Sequence, residues 1–408
     1  MIEMSNSVCY TVNMTERRLW VHKRPMACAA LGAILAAILG SFAPDRVLLI
    51  VCAVLIPISA FLFHRRNAFF LLPLAAFAVL IRIVLLPTEL PDGALASFAS
   101  NLRGNMLKNA DALFRDEAAA ARGMLLGDRS AMTAAAYTQY AQSGLLHLFA
   151  VSGLHVTIFV GMIGRLVRTE NKALSLGIHA LILLLFSAIT GFSASVLRAS
   201  FSLIALRFTS MQERKADMPS VLCFTFAMTL LCEPFAFRTV GFQLSFAAMT
   251  GMVLFAGKFR RSLPKSLQST MTARAVFGAI AAMIGMLPLT AYYFGSLAWV
   301  AVPLSILLIP TMPVILLFGL LSVLLFGILP GVATMLSYPA YGAIRIVSFI
   351  VQSVNVPSLQ LPAPHPLVIV LYYLGLFLCS SLLLPNRKRP PWIGLGLLAS
   401  TMILWYLI

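Results

Sequence analysis

The chain has 408 residues, of which 60% are apolar and only 11% are charged, and its net charge is 30 − 13 = +17. Soluble domains carry about 25% charged residues, so this composition excludes a soluble enzyme, a disordered chain and a disulfide-rich scaffold. One membrane span takes roughly 20 apolar residues. The composition therefore predicts an all-α, polytopic transmembrane helical bundle of about 11–13 spans.

The chain divides into five predicted regions. They are a cytoplasmic N-terminal tail (1–25), three spans (26–86), an extracytoplasmic segment of amphipathic helices (87–147), a transmembrane core (148–330) and C-terminal spans (331–408). Apolar runs bounded by charge or proline place the crossings at 26–43, 47–63, 68–86, 148–166, 174–191, 195–210, 217–234, 240–257, 275–294, 297–329, 334–354, 366–384 and 392–408. Pro303, Pro310 and Pro313 break the stretch 297–329, which we count as one kinked or re-entrant crossing.

Positive charge indicates the orientation of the chain in the membrane. Basic residues concentrate in alternate connections, at 17–24, 65–66, 165–172, 207–215, 258–274 and 387–389, whereas the intervening short connections hold only Arg46 and Arg238. Because loops rich in Lys and Arg stay on the cytoplasmic side, the N-terminus is predicted inside and the C-terminus outside.

Two further patterns concern packing. Within the outer segment, Asn101–Glu117 and Ala118–Tyr140 are predicted as two amphipathic helices that lie at the membrane interface or plug the outer end of the bundle. In the first span, Cys28, Gly32, Ala36 and Gly40 place a small residue at every fourth position, a pattern typical of close helix packing.

The sequence offers no hydrolytic site. It contains neither an H-E-x-x-H motif nor a cluster of His and Asp residues suited to a metal ion. It also lacks a nucleotide-binding loop, so any transport must be driven by a partner motor or by a membrane gradient. We therefore expect a protein that is not an enzyme and that needs neither a cofactor nor a metal.

Polar residues near the fourth span are the first candidates for function. His147 and His155 are eight positions apart, with Ser152 and Gly153 between them. On a helix this spacing gives about 80° of rotation and roughly 12 Å of rise, so the two rings could face one cavity but could not bind one metal ion by themselves. The alternative is that they hydrogen-bond to neighbouring helices.

Arg198 is the second candidate, because an arginine within a span costs about 2.5–3.5 kcal/mol on insertion scales. The apolar cores of the predicted spans contain no acid, so Arg198 is expected to face carbonyl groups or a wet cavity that could admit an anion. Gln243 and Ser245 lie at the outer end of the eighth span, where they either bond helices together or line a cavity.

These residues carry a resemblance to a known family. The stretch 147–155, His-Leu-Phe-Ala-Val-Ser-Gly-Leu-His, resembles the signature of the ComEC competence family, whose members are DNA-uptake channels of the inner membrane. The stretches 125–130, 195–199 and 241–246 are similar to other motifs of that family and occur in the same order. Family members often carry an OB-like domain and a metallo-β-lactamase-like domain. In this chain we expect the OB-like domain to be reduced to residues 87–118. We expect the metallo-β-lactamase-like domain to be missing. Ser305 also stands where the family's asparagine is expected.

The resemblance implies a channel that carries single-stranded DNA through the lipid bilayer during natural transformation. The residues expected to line or shape its outer part are Asp128, His147, Ser152, Gly153, His155, Arg198, Gln243 and Ser245. Arg198 would contact phosphate, the histidines and Ser152 would set the geometry or gating of the pore, and Asp128 would cap or orient the interfacial helix. Implied partners are a surface DNA receptor, a separate nuclease and a cytoplasmic helicase or motor, and the sequence is compatible with an oligomer.

Two alternatives stay open at this point. The chain could be a secondary transporter for a small anionic solute, with Arg198 as the counter-ion. It could instead be a non-conducting membrane scaffold, in which substitution of Arg198 or His155 would change nothing.

Overall fold

The computed structural model describes residues 25–42, 75–76, 78–80, 83, 94–149, 151, 153–166, 169, 171–213, 216–261, 264–268, 270–354, 359–379, 398–402 and 404–405. The helices are α1 (Pro25–Phe42), α2 (Ala94–Phe114), α3 (Ala118–Leu126), α4 (Ala134–Gln142), α5 (Gly153–Leu166), α6 (Lys172–Ile189), α7 (Ala194–Met211), α8 (Met218–Cys232), α9 (Val240–Gly251), α10 (Gly257–Arg261), α11 (Lys265–Gln268), α12 (Met271–Phe294), α13 (Ala301–Leu308), α14 (Met312–Leu325), α15 (Pro330–Ser353) and α16 (Pro366–Cys379). A π-helical segment, Met252–Ala256, connects α9 to α10. Short 3₁₀ turns lie at Arg115–Glu117, Leu145–Phe149, Ala236–Arg238 and Ile309–Thr311.

The chain is an all-α helical membrane protein. Four helical stretches of the described residues are long and apolar enough to cross a membrane, namely Lys172–Ile189, Val240–Phe259, Val276–Phe294 and Pro330–Ser353. The described residues add a single small sheet, in which β1 (Ser296–Leu297) pairs antiparallel with β2 (Leu359–Gln360). The span at 47–63 lies outside the described residues, and the predicted number of spans stays a prediction.

Several predicted spans coincide closely with helices. The spans 174–191, 195–210 and 217–234 correspond to α6, α7 and α8. The side chains of Asn171 and Asp217 accept hydrogen bonds from the first backbone N–H groups of α6 and α8, which explains why these two helices begin where they do. The predicted break at 297–329 is present as well, because the turn Ile309–Thr311, which contains Pro310, separates α13 from α14.

The prediction of one helix over Ala118–Tyr140 was wrong. α3 ends at Leu126 because Gly127 adopts a left-handed conformation with φ 71°, and the N–H groups of Gly127 and Asp128 close the helix on carbonyls of its last turn. α4 begins only after Thr133, whose hydroxyl accepts a hydrogen bond from the Ala136 N–H. A loop over 127–133 therefore replaces the middle of the predicted helix.

The outer segment is part of the main hydrophobic core. Phe114, Leu125 and Phe149 are fully buried and pack in one cluster with residues of α5, α14 and α15. Asn109 also donates from its side chain to the Val323 carbonyl at 3.0 Å, which ties α2 to α14. The outer segment therefore packs into the same core as α5, α14 and α15, and its position relative to the membrane stays a prediction.

Small residues bring two pairs of helices close together. In α1, the buried Ala29, Ala33, Ala36 and Ala37 pack in a cluster with residues of α8, on a face that overlaps the predicted small-residue pattern. α9 and α12 cross even more closely. A Cβ atom built on Gly251 would lie 2.9 Å from the Gly285 Cα atom, so the two backbones are in direct contact.

Candidate functional site

The four stretches that resemble family motifs form a continuous series of contacts. The first contact joins the loop after α3 to the segment before α5. Arg129 donates from Nε to the Phe149 carbonyl at 3.3 Å, and a Cβ atom on Gly127 would meet the Val151 side chain at 3.1 Å. The stretch 125–130 therefore packs directly on the histidine-containing stretch.

The second contact joins that segment to α7. The Ser195 hydroxyl donates to the Val151 carbonyl at 2.7 Å. One helical turn further, a Cβ atom on Gly153 would lie 3.6 Å from the Ala199 Cβ atom, so α5 and α7 are in van der Waals contact there. The start of α7 is thus held against the start of α5 by a hydrogen bond and by close packing.

The third contact is made by Arg198, which joins α7 to α9. This residue is only 5% exposed. Its Nε donates to the Ser245 hydroxyl at 3.2 Å, and its Nη2 donates to the Gly241 carbonyl at 3.4 Å. The remaining nitrogen, Nη1, is buried and has no hydrogen-bond partner among the described residues.

Among the described residues, no carboxylate forms an ion pair with the Arg198 guanidinium. The ion pairs found among the described residues join Arg122 to Asp111 and Asp128, Lys172 to Glu213, and Arg345 to Asp116. Glu233 acts on Arg198 only through longer-range electrostatics. A buried cation with an unused N–H donor and no ion-pair partner is suited to binding an anion.

Gln243 is held in place by two neighbours. Its Nε2 donates to the Phe237 carbonyl at 3.0 Å, and its Oε1 accepts a hydrogen bond from the Tyr293 hydroxyl at 2.6 Å. The residue therefore links α9 to α12 and to the turn before α9. Here the structure favours helix bonding, one of the two roles left open by the sequence.

Asp128 forms an ion pair inside the outer segment. Arg122 donates to its carboxylate from Nε at 2.9 Å and also from Nη2, and the Ser130 hydroxyl donates at 3.0 Å. Burial raises the pKa of the Asp128 carboxyl, but the hydrogen bonds from Arg122 and Ser130 outweigh this effect, so the pKa lies below its ordinary value. A carboxylate fixed in this way orients the end of α3.

The histidine-containing stretch is only partly described. His155 is 1% exposed on α5. His147 lies in the 3₁₀ turn before α5 and is described through its backbone alone, while Ser152 lies outside the described residues. The proposed role of the two histidines and Ser152 in pore geometry therefore stays a prediction.

Sequence reasoning missed three residues that hold this site together: Arg122, Ser195 and Tyr293. Ser195 carried a usable signal, because it lies three positions before Arg198 in the same stretch. Arg122 and Tyr293 carried no such signal. Arg122 reaches Asp128 only because α3 ends between them. Tyr293 reaches Gln243 only because α9 and α12 pack together. No group of three His, Cys, Asp or Glu residues suited to a metal ion occurs in the described part of the chain.

Comparison with known proteins adds independent information. A family model described as Competence protein matches residues 124–386, a stretch that contains every predicted site residue. ComE operon protein 3 of Bacillus subtilis is 29% identical over 199 residues, which cover 48% of this chain and 25% of that protein. Recombination protein 2 of Haemophilus influenzae is 25% identical over 238 residues, which cover 52% of this chain and 30% of that protein.

An uncharacterized protein of Aquifex aeolicus is 28% identical over 256 residues, which cover 60% of this chain and 58% of that protein. The chain thus spans less than two thirds of the length of each of these relatives. No solved structure matches the chain.

Proposed function

This chain belongs to the competence protein family, and we propose that it lines the path by which single-stranded DNA crosses the inner membrane during natural transformation. In this proposal the N-terminus lies in the cytoplasm and the C-terminus lies outside. The family resemblance implies that a surface DNA receptor, a separate nuclease and a cytoplasmic helicase or motor act with the chain. The motor also supplies the driving force, because the sequence contains no nucleotide-binding loop.

The observation that carries the proposal is the environment of Arg198. A DNA strand bears one negative charge per nucleotide, and proteins bind it through cations that reach its phosphates. Arg198 is buried, joins two of the four family-like stretches through its hydrogen bonds to Ser245 and Gly241, and keeps Nη1 without a partner among the described residues. A passing phosphate oxygen would accept the hydrogen bond that this nitrogen leaves unused.

The neighbours of Arg198 then have defined tasks. Ser245 and the Gly241 carbonyl hold the guanidinium on the side of α9. Gln243 fixes α9 against Tyr293 of α12. Ser195 fixes α7 against the segment before α5. Ser245, Gln243 and Ser195 are positioning residues, and Arg198 is the group that would touch DNA.

Uptake of labelled DNA into a nuclease-protected compartment tests this function. A deletion strain should take up no DNA, and complementation with the wild-type chain should restore uptake. Arg198→Gln should lower uptake by about tenfold to a hundredfold, because a charge-assisted hydrogen bond is worth about 1.5–3 kcal/mol. Arg238→Gln is the matched control, since it removes an exposed arginine that stacks on Phe235 and Phe237.

Each alternative outcome has a distinct meaning. If the deletion strain takes up DNA normally, this function is wrong, and a change in the uptake of labelled anionic solutes would support a transporter instead. If the deletion abolishes uptake but Arg198→Gln and His155→Ala both restore it, the chain acts as a scaffold. Equal losses in Arg198→Gln and Arg238→Gln would show a general effect of charge.

A further inference from the structure

A cavity of about 130 Å³ lies between α5, α6 and α7, apart from the Arg198 cluster. Arg198 and Arg207 are nine positions apart on α7, which places them about 180° from each other around the helix, and of the two only Arg207 belongs to the lining. Most of the lining is apolar, formed by Val160, Gly161, Leu183, Leu203 and Ile204. The cavity is therefore a separate, largely apolar site on the opposite side of α7.

Two of the three polar lining residues form hydrogen bonds within their own helices. The Thr157 hydroxyl donates to the Gly153 carbonyl at 2.7 Å, and the Nδ1 atom of His179 lies 2.6 Å from the Ser175 carbonyl. His179 is also only 3% exposed, so a molecule in the cavity meets little of this residue. Thr157 and His179 therefore add little polarity to the cavity.

The third polar lining residue, Arg207, supplies a positive charge at the opening of the cavity. Thr157, Gly161 and Arg207 are the exposed members of the lining, so the cavity opens between α5 and α7. Arg207 forms no ion pair among the described residues, and Glu213, the acid nearest to it along the chain, is paired with Lys172. A phosphate group can therefore approach Arg207 without competition from a carboxylate.

The opening lies near the ends of α5 and α7 that are cytoplasmic in the orientation proposed above. Arg207 precedes Met211, the last residue of α7, by four positions, which corresponds to about 6 Å of rise. Phe208, next to Arg207, is 51% exposed, as is typical of a helix that faces lipid. In that orientation the opening lies at the depth where lipid head groups meet the first part of the acyl chains.

We infer that this cavity binds an anionic phospholipid: Arg207 holds the phosphate of the head group, and the first part of one acyl chain fills the cavity. Basic pockets between membrane helices on the cytoplasmic side are typical binding sites for anionic lipid head groups. The cavity has the volume of about four water molecules, which suits a few methylene groups in single file. Pockets for larger ligands measure about 300 Å³ or more, so a nucleotide does not fit.

Native mass spectrometry of the full chain in detergent micelles tests this inference. The probes are phosphatidylglycerol, phosphatidylcholine and glycerol phosphate, which carries a phosphate but no acyl chain. Phosphatidylglycerol should occupy one site about fivefold more tightly than phosphatidylcholine, because one cation near an anionic lipid surface is worth about 1 kcal/mol. Glycerol phosphate should not compete with it. Competition by glycerol phosphate would show that phosphate alone is recognised and would overturn the inference.

Two substitutions separate the head group from the acyl chain. Arg207→Gln should lower the affinity for phosphatidylglycerol about fivefold and remove its preference over phosphatidylcholine. Gly161→Leu should lower the affinity for both lipids, because an added Cβ atom meets nothing within 4 Å and the longer side chain would occupy the cavity. Arg261→Gln and Gly177→Leu are the matched controls. Arg261 is exposed, an added Cβ atom on Gly177 also meets nothing within 4 Å, and neither residue belongs to the lining.

A photoreactive phosphatidylglycerol gives a second readout on the unaltered chain. With a diazirine group near the head-group end of one acyl chain, it should label α5 or α7 beside the cavity, at Gly161, Leu203 or Ile204. Labelling confined to other parts of the chain would overturn the inference. So would unchanged lipid binding in Gly161→Leu protein that elutes like the wild type in size-exclusion chromatography. Both measurements use lipids alone, so their results are independent of whether the chain transports DNA.

Discussion

Replacing Gly285 by alanine places a methyl group between the backbones of α9 and α12. The new Cβ atom would lie against the Ala247 carbonyl oxygen, 3.0 Å from the Gly251 Cα atom and 3.1 Å from the Ala247 carbonyl carbon. All of these are backbone atoms, so no flexible side chain can move away. The two helices must separate to accept the substitution.

The magnitude follows from two opposing effects. Overpacking a close contact costs about 1–3 kcal/mol, while replacing glycine by alanine within a helix gains up to about 1 kcal/mol. A net loss of about 1–2 kcal/mol in the free energy of unfolding is therefore expected for Gly285→Ala. Gly278→Ala is the matched control on the same helix, because no heavy atom lies within 4 Å of its added Cβ, and it should be neutral or stabilising.

The assay is equilibrium unfolding of the purified chain in mixed detergent micelles. It should be paired with DNA uptake, since α9 carries Gln243 and Ser245 and its displacement would move the partners of Arg198. Gly285→Ala should lower both quantities, and Gly278→Ala should lower neither. If the two variants unfold with the same free energy, the backbone contact between α9 and α12 does not exist in the protein.

Three further predictions concern the contacts around the site. Because the pKa of Asp128 lies below its ordinary value, the ion pair with Arg122 stabilises the fold at neutral pH and is lost as the pH falls through the pKa of the folded state. Asp128→Asn should therefore unfold more easily than the wild type near neutral pH, and the difference should shrink as the pH falls through the folded-state pKa of Asp128, measured by thermal unfolding. Ser195→Ala should cost about 1 kcal/mol or more of stability in the same assay, because it leaves a buried carbonyl before α5 without its donor. Tyr293→Phe removes the hydroxyl bonded to Gln243 and should lower DNA uptake a few-fold while the thermal midpoint changes little.

Local sequence signals were enough for much of the architecture. The apolar runs located α6, α7 and α8 to within about two residues, because capping side chains and turns end these helices next to the apolar stretch itself. The proline cluster likewise predicted the break between α13 and α14. The prediction of one helix over Ala118–Tyr140 failed, because the backbone turns into the left-handed region at Gly127 and a polar loop follows.

The candidate site could be predicted only in part. The family-like stretches indicated Arg198, Gln243 and Ser245. The structure joins Arg198 to Ser245 across α7 and α9, whereas Gln243 bonds to Tyr293 of α12. It places Asp128 in an ion pair with Arg122 instead of beside Arg198.

The sequence by itself determined that this protein is a helical membrane protein of the competence family. Apolar content and short motifs are properties of the chain alone. An apolar run of about 20 residues must satisfy its backbone hydrogen bonds within the membrane, and a spanning helix does so. Tertiary structure decided that the outer segment joins the core, that α9 and α12 touch at two glycines, and which neighbours surround Arg198. These features depend on contacts between residues far apart along the chain, and such contacts form only when helices pack at particular angles and distances.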